Sequence, residues 1–137
     1  MNQTSEIASD ETILRRISDH PDNTKDRPGR GLTATARALR PRKGELTPSW
    51  SRQKITSPER LLELPVAEGI ETSGWCVTAV TVAIVRSLGL DVKATPTEED
   101  PGHCDIVRTE QQALTRGVWS RLAKETRIVY DSKKEDR

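Results

Sequence analysis

The densest apolar stretch of the chain, residues 73–95 (SGWCVTAVTVAIVRSLGLDVKAT), limits the folds that this sequence can adopt. Its first part, 73–80, is rich in β-branched and aromatic residues and predicts a buried strand. Residues 81–89 change to helical spacing, with Thr81 as the cap at the start and Gly89 in the left-handed position after the end. Residues 90–95 alternate and predict a second strand. The stretch therefore predicts a strand–helix–strand unit, whose short crossover leaves the direction of pairing open.

A second helix is predicted to begin just before this unit. Ser57 suits the N-cap position and Pro58 the first helical position. Leucines at 61, 62 and 64 form an apolar stripe, and Pro65 is expected to end the helix. Trp50, which precedes it, is expected either to lay its ring over the domain or to anchor a partner.

Three further elements are predicted after the strand–helix–strand unit. Residues 103–107 (HCDIV) predict a short strand, and residues 109–125 predict an amphipathic helix that opens with a capping box. The RIVY run at 127–130 predicts an edge strand, and residues 131–137 a frayed tail. Together these elements predict one small α+β domain over about residues 46–130.

Residues 1–45 are predicted to form a polar, basic and flexible arm before the domain. A short helix over 10–18 would place Ile13, Leu14 and Ile17 on one face, but two turns are marginal in water without a partner surface. Prolines and glycines interrupt residues 19–44, which bury little apolar surface and predict disorder in isolation. We therefore treat those three apolar residues and Trp50 as candidates for binding a partner protein.

The arm also carries a block of positive charge that the net charge of +1 conceals. Residues 27–54 contain eight Lys and Arg against Glu45 alone, a balance of +7, between segments that are each at -3. Binding to phosphates through this block would be independent of base sequence. No nucleic-acid-binding motif and no aromatic stacking residue accompanies it, so a solvated linker is the alternative interpretation. The candidate phosphate-binding residues are Arg27, Arg30, Arg37, Arg40, Arg42 and Lys43.

The HCDIV strand holds the best candidate for chemistry. Alternation places Cys104 and Ile106 on one face, and His103, Asp105 and Val107 on the other. Cys104 is then a small buried hydrophobe, and the adjacent histidine points away from it. His103 either hydrogen-bonds the backbone of its loop or acts in binding or acid–base chemistry with Asp105 as its carboxylate partner. The acids at 98–100 are expected to be solvated.

Several classes of function lack their signatures. With two cysteines and two histidines the chain has no metal-ligand spacing, and it has neither a phosphate-binding glycine loop nor a nucleophile elbow. We therefore predict no cofactor and no metal. Residues 75–85 are about half as long as a membrane helix, and the N-terminus lacks the apolar block of a signal peptide. A cytoplasmic protein without a membrane partner is the expectation.

The stretch from Gly74 to Ile106 resembles a recurrent pattern in a family of small uncharacterised bacterial proteins. The pattern comprises a Trp-containing strand, a short helix ending in Leu-Gly-Leu, a strand, an acidic Pro-rich loop and Pro-x-His before an apolar residue. The resemblance covers about residues 46–125 and implies the domain boundary, but it implies no activity. The residues that carry it are Trp50, Trp75, Gly89, Leu90, Pro96, Pro101, His103 and Ile106.

The small inventory of catalytic groups favours a non-catalytic accessory or adaptor protein that binds a larger protein in a bacterial cytoplasmic system. Two alternatives stay open. One is sequence-independent binding of nucleic acid through the basic arm, and the other is a small hydrolase or transferase centred on His103 and Asp105. The sequence predicts no oligomeric state.

Overall fold

A six-stranded antiparallel sheet forms the centre of the protein in the computed structural model. The described residues are 7–18, 20–29, 31–39, 49–67, 69, 72, 74–108 and 116–131. Their strands are β1 (Thr12–Ile17), β2 (Thr24–Arg27), β3 (Gly31–Ala34), β4 (Ser49–Arg52), β5 (Cys76–Thr81), β6 (Leu90–Ala94), β7 (His103–Arg108) and β8 (Arg127–Asp131). Their helices are α1 (Ala36–Leu39), α2 (Pro58–Ala67), α3 (Val82–Ser87) and α4 (Arg116–Glu125), with a 3₁₀ turn at Pro21–Asn23. The α+β class predicted from the sequence is confirmed.

The strand order is β6-β7-β4-β1-β5-β8, and β2 pairs with β3 in a separate hairpin. Each neighbouring pair is antiparallel, so β5 and β6 run in the same direction although β1, β4 and β7 lie between them. The predicted strand–helix–strand unit is therefore present, but α3 carries the chain across the sheet rather than between paired strands.

Local signals placed the ends of α3 and the start of α2 correctly. The Thr81 hydroxyl accepts a hydrogen bond from the backbone N–H of Ile84 at 3.4 Å, and Gly89 has a φ of 86°. The Ser57 hydroxyl caps α2 by accepting from the N–H of Arg60 at 3.1 Å. The predicted strand at 103–107 and the edge strand at 127–130 are also confirmed, as β7 and β8. The predicted capping box at 109–112 and residues 132–137 of the predicted tail lie outside the described residues, whereas Asp131, the first residue of that tail, belongs to β8.

The predicted helix over 10–18 is wrong, because these residues form the central strand β1. Its whole length pairs with β5, from Thr12 opposite Thr81 to Ile17 opposite Cys76, and β4 pairs along its other edge. Ile13 and Leu14 point to opposite faces, and both are 0 % exposed. Because both faces of β1 are covered, its apolar residues do not alternate with polar ones. The expected two-residue period was therefore missing.

The flexible arm predicted for residues 1–45 is also wrong over its described residues, 7–18, 20–29 and 31–39. β2 and β3 form a hairpin, and β3 contacts both β8 and α4. The backbone N–H of Ala34 donates to the Thr126 hydroxyl at 3.3 Å, which joins the hairpin to the far end of the chain. Of the prolines and glycines that suggested a linker, Pro28, Gly29 and Gly31 lie at the hairpin turn, where Gly29 and Gly31 both have a φ of 78°.

Two hydrophobic clusters lie on opposite faces of the sheet. The larger contains side chains of α1, α3 and α4 against Ile13, Ile17 and Trp50, and the smaller holds α2 against Leu14, Val77 and Ala79. The four residues proposed from the sequence to bind a partner are thus interior residues, each no more than 1 % exposed. They contribute to the core and offer no surface to another protein. Those residues are Ile13, Leu14, Ile17 and Trp50.

Candidate ligand-binding cleft

A cleft of about 370 Å³ opens beside α2 on the second face of the sheet. α2 packs on β1, β5 and β8, and the cleft extends from its flank over β4 and β7. Strands β1 and β4 form the floor, α2 forms one wall, and the loop between β6 and β7 forms the other. The lining includes Leu14, Arg16, Ser51, Arg60, Leu61, Leu64, Glu99, Asp100 and His103.

Asp100 shapes the loop wall, and it is buried rather than solvated as the sequence suggested. The residue is 5 % exposed. Its carboxylate accepts hydrogen bonds from the hydroxyl of Ser51, from the hydroxyl of Thr56 at 2.5 Å and from the N–H of Gly102 at 3.1 Å. Three donors compensate for the loss of water around this charge. Asp100 therefore fixes the loop against β4.

His103 stands at the start of β7 with its ring held from one side. Nδ1 lies 3.1 Å from the Thr95 carbonyl oxygen and 2.8 Å from the Thr95 hydroxyl. A carbonyl only accepts, so a hydrogen bond to it requires the proton on Nδ1, whereas the Thr95 hydroxyl can either accept from Nδ1 or donate to it. With the proton on Nδ1, the lone pair is on Nε2. The prediction that His103 hydrogen-bonds its loop backbone is confirmed. Among the described residues no hydrogen bond engages Nε2.

Asp105 is not the hydrogen-bond partner of this imidazole. It lies two residues further along β7, opposite Ser49 of β4 and Lys93 of β6. It is absent from the described lining of the cleft. The two residues share a face of the sheet as the alternation predicted, but Thr95 takes the orienting position that the sequence suggested for Asp105.

Arg16 connects the floor of the cleft to its helical wall. Pro65 lies inside α2 and has no N–H, so the carbonyl of Leu61 loses its donor within the helix. Nη1 of Arg16 lies 3.4 Å from that oxygen and donates to it. The prediction that Pro65 ends the helix was wrong, since α2 continues to Ala67. A donor from β1 in part replaces the missing helical hydrogen bond.

Gly102 lets the loop approach β4 more closely than any other residue would. A Cβ there would lie 2.7 Å from the Thr56 hydroxyl oxygen, 3.1 Å from Cβ of Ile55 and 3.2 Å from the Arg52 carbonyl oxygen. Both oxygens are held in place: the Thr56 hydroxyl donates to Asp100 at 2.5 Å, and the Arg52 carbonyl accepts from the N–H groups of Ile55 at 3.0 Å and Thr56 at 2.8 Å.

We expect Gly102→Ala to lower the free energy of unfolding by about 1–3 kcal/mol, because the added methyl overpacks this contact. The measurement is urea denaturation followed by tryptophan fluorescence. Gly117→Ala, at an exposed position of α4, is the control and should be neutral or stabilising by up to about 1 kcal/mol. A Gly102→Ala variant as stable as the parent would contradict the close approach.

The two cysteines do not line this cleft in the described structure. Cys104 is 0 % exposed, and burial raises the pKa of its thiol to about 12, so it is a poor nucleophile. Cys76 is also buried and is not part of a disulfide. In the described part of the chain no cluster of three or more His, Cys, Asp or Glu residues has the geometry for a metal ion.

The basic block is only partly described. Nε of Arg27 donates to the hydroxyl of Thr33 at 2.6 Å within the hairpin, and Arg37 is exposed on α1. Arg30, Arg40, Arg42 and Lys43 lie outside the described residues. Nothing in the described residues tests binding of nucleic acid or of a partner protein, so both stay predictions.

Comparison with protein-family models, with curated proteins and with solved structures gives no match for this chain. No helix within the described ranges is both long enough and apolar enough to cross a membrane.

Proposed function

We propose that the protein binds a small ligand in the cleft beside α2 and uses Nε2 of His103 as a hydrogen-bond or proton acceptor. One observation carries the proposal. The imidazole is fixed through Nδ1 to Thr95, while His103 lines a cavity of about 370 Å³. Cavities of this size suit small molecules.

The ring is held by backbone as well as by side chain. The N–H of His103 donates to the Asp100 carbonyl at 3.0 Å, and the N–H of Thr95 donates to the His103 carbonyl at 2.9 Å. Asp100 is itself fixed by its three donors. A group fixed in this way loses little conformational entropy when a ligand binds, which supports a binding role for it.

The same arrangement supports acid–base chemistry. An imidazole whose Nδ1–H is bonded to an acceptor keeps its tautomer, so Nε2 can accept a proton from a bound molecule. The small enzyme considered from the sequence is therefore centred on His103 and Thr95 in this proposal, with Asp105 outside it. The reacting group would have to reach within about 3 Å of Nε2.

Nuclear magnetic resonance of the imidazole nitrogens tests the acceptor role, because the chain supplies its own control. His20 accepts a hydrogen bond at Nδ1 from the N–H of Asp22 at 3.1 Å, so its proton lies on Nε2 when the ring is neutral. At about pH 8, where an ordinary imidazole is neutral, we expect opposite tautomers for the two histidines. A proton on Nε2 of His103 would overturn the acceptor role.

A fragment screen on the same sample tests the ligand site. The set should contain anionic, neutral and cationic fragments, and we expect at least one class to shift the His103 nitrogens while His20 is unaffected. His103→Gln, which keeps a polar side chain of similar reach, should weaken those fragments about tenfold, as expected for loss of a well-placed hydrogen bond. If no fragment class shifts His103, or if His103→Gln binds as tightly as the parent, the proposal is wrong.

A further inference from the structure

We infer that the ligand of this cleft carries a carboxylate or phosphate group next to an apolar body. The inference rests on the proposed function and adds the chemical class of the ligand. It follows from the way in which Asp100, Glu99 and Arg60 of the lining are engaged.

The negative charge of the lining is largely committed to the protein. Asp100 is 5 % exposed and accepts from Ser51, Thr56 and Gly102. A cationic ligand would have to compete with those donors. Glu99 is exposed at the rim, where its charge is screened by solvent and salt. Within the described lining, the carboxylate available to a cationic ligand is therefore the solvated one of Glu99.

The positive charge of Arg60 is less committed. The Arg60 side chain is 55 % exposed, and its Nη1 lies 3.4 Å from Oε1 of Glu63, whose side chain is 64 % exposed. Such an exposed pair contributes little, so exchanging it for a ligand costs little. Arg16 already donates to the Leu61 carbonyl at 3.4 Å and is not counted as a group for the ligand. Arg15 is not counted, because its Nε and Nη1 donate to the carbonyls of Ala38 and Ser49.

The form of the cleft places these groups around an apolar floor. Leu14 and Leu61 are buried, and Leu64 is half-buried beside them. Guanidinium groups bind carboxylate and phosphate through paired N–H donors. Nε2 of His103 can accept a hydrogen bond from a hydroxyl or amide of the same ligand. An anionic group on a short apolar chain satisfies the first two parts of the site, and a hydroxyl or amide on the same ligand would satisfy the third.

The experiment uses four probes with one skeleton: hexanoate, hexyl phosphate, hexanol and hexylamine. Each is titrated into the full chain at low salt while the imidazole nitrogens of His103 are observed. We expect the two anions to bind at least about tenfold more tightly than hexanol and hexylamine. Comparison of hexanoate with hexyl phosphate then identifies which anion the site prefers.

Variants separate the charge from the fold. Arg60→Gln should weaken the anions about threefold to tenfold and leave hexanol unchanged. Arg121→Gln, at an exposed position of α4, is the matched control and should change nothing. Glu99→Gln should strengthen the anions about twofold, because a like charge leaves the rim.

The outcomes distinguish this inference from the function on which it rests. If hexylamine or hexanol shifts His103 and binds as tightly as the anions, the site stands and its anionic preference is overturned. If Arg60→Gln and Arg121→Gln bind hexanoate equally well, the preference is likewise overturned. If His103 responds to none of the four probes but to another fragment, the ligand class alone is wrong. If it responds to nothing, both proposals fail.

Discussion

Replacing Arg52 by alanine should lower the free energy of unfolding by about 3–5 kcal/mol, the range for breaking a buried ion pair from one side. Nε and Nη2 of Arg52 donate to the two carboxylate oxygens of Glu11 at 2.8 Å and 2.7 Å. Their side chains are 6 % and 7 % exposed. Without Arg52 the carboxylate stays buried after losing its principal partner. Urea denaturation followed by circular dichroism gives the difference.

Lys54 is the matched control, because it approaches the same carboxylate from the solvent. Its Nζ lies 3.8 Å from Oε2 of Glu11, and its side chain is 62 % exposed. Lys54→Ala should therefore cost less than about 1 kcal/mol. Equal losses for the two variants would show that burial of the pair is not what stabilises it.

The pH dependence of the same pair has a defined sign. The hydrogen bond from Arg52 lowers the pKa of Glu11 below its ordinary value of 4.5, although burial acts in the opposite direction. A carboxyl whose pKa is lower in the folded state stabilises the fold above its unfolded value, and this contribution disappears as the pH falls through the folded value. The Glu11→Gln variant should consequently lose less stability than the parent on acidification below about pH 4.5.

Truncating Ile13 to alanine should cost about 2–5 kcal/mol, the range for removing a large aliphatic side chain from a core. Ile13 is 0 % exposed and sits on the central strand, opposite Arg52 of β4 and Val80 of β5. A cavity left there has strands on both sides that cannot close it. Thermal or urea denaturation of the full chain measures the loss.

Ile55 provides the comparison for that variant, since it is the same residue type at 46 % exposure. Ile55→Ala should change the stability by no more than about 0.5 kcal/mol. If Ile13→Ala were as mild as Ile55→Ala, residues 12–17 would not form the centre of the sheet. That result would support the prediction of a flexible arm over residues 1–45.

The elements that the sequence predicts correctly are those with local signals. Thr81 and Gly89 mark the two ends of α3, and Ser57 with Pro58 marks the start of α2, because caps act within a few residues of chain. The strand at 103–107 alternates cleanly, since one of its faces is buried and the other lines the cleft or meets solvent. For these segments tertiary contacts agree with local preference.

The elements missed are those whose polar residues find partners far away in the sequence. β4 (SWSR) is nearly all buried. Its polar side chains tolerate burial because Ser51 donates a hydrogen bond to Asp100 and Arg52 donates to Glu11. Before the fold is known, those two residues predict exposure, so the strand was not expected. In the same way the sequence predicts a helix end at Pro65, because the donor that replaces its N–H comes from Arg16 on another element.

The candidate site was half predictable. The sequence indicates His103 as a candidate because it is one of two histidines and follows an acidic loop with a proline near each end. Its true partner, Thr95, stands at the other end of that loop, and the sequence offered Asp105 at i+2 as the simpler choice. Arg16 and Arg60 lie on β1 and α2, and only the packing of α2 against the sheet brings them to the same cleft. Nothing in the sequence distinguishes the buried Asp100 from its two exposed neighbours, Glu98 and Glu99.

The position of β1 in the sheet also determines how long this strand lacks its partners while the chain is being synthesised. β1 leaves the ribosome before either of its neighbours. Leu14 can pair with Ser51 only after β4 has been synthesised, and with Ala79 only after β5 has been synthesised. At roughly 5–20 residues per second, the interval between β1 and β5 lasts several seconds. During that time an apolar strand with unpaired edges is exposed to other chains. A nascent chain halted before residue 76 would keep one edge of its central strand open, which makes it a substrate for chaperones or a seed for aggregation.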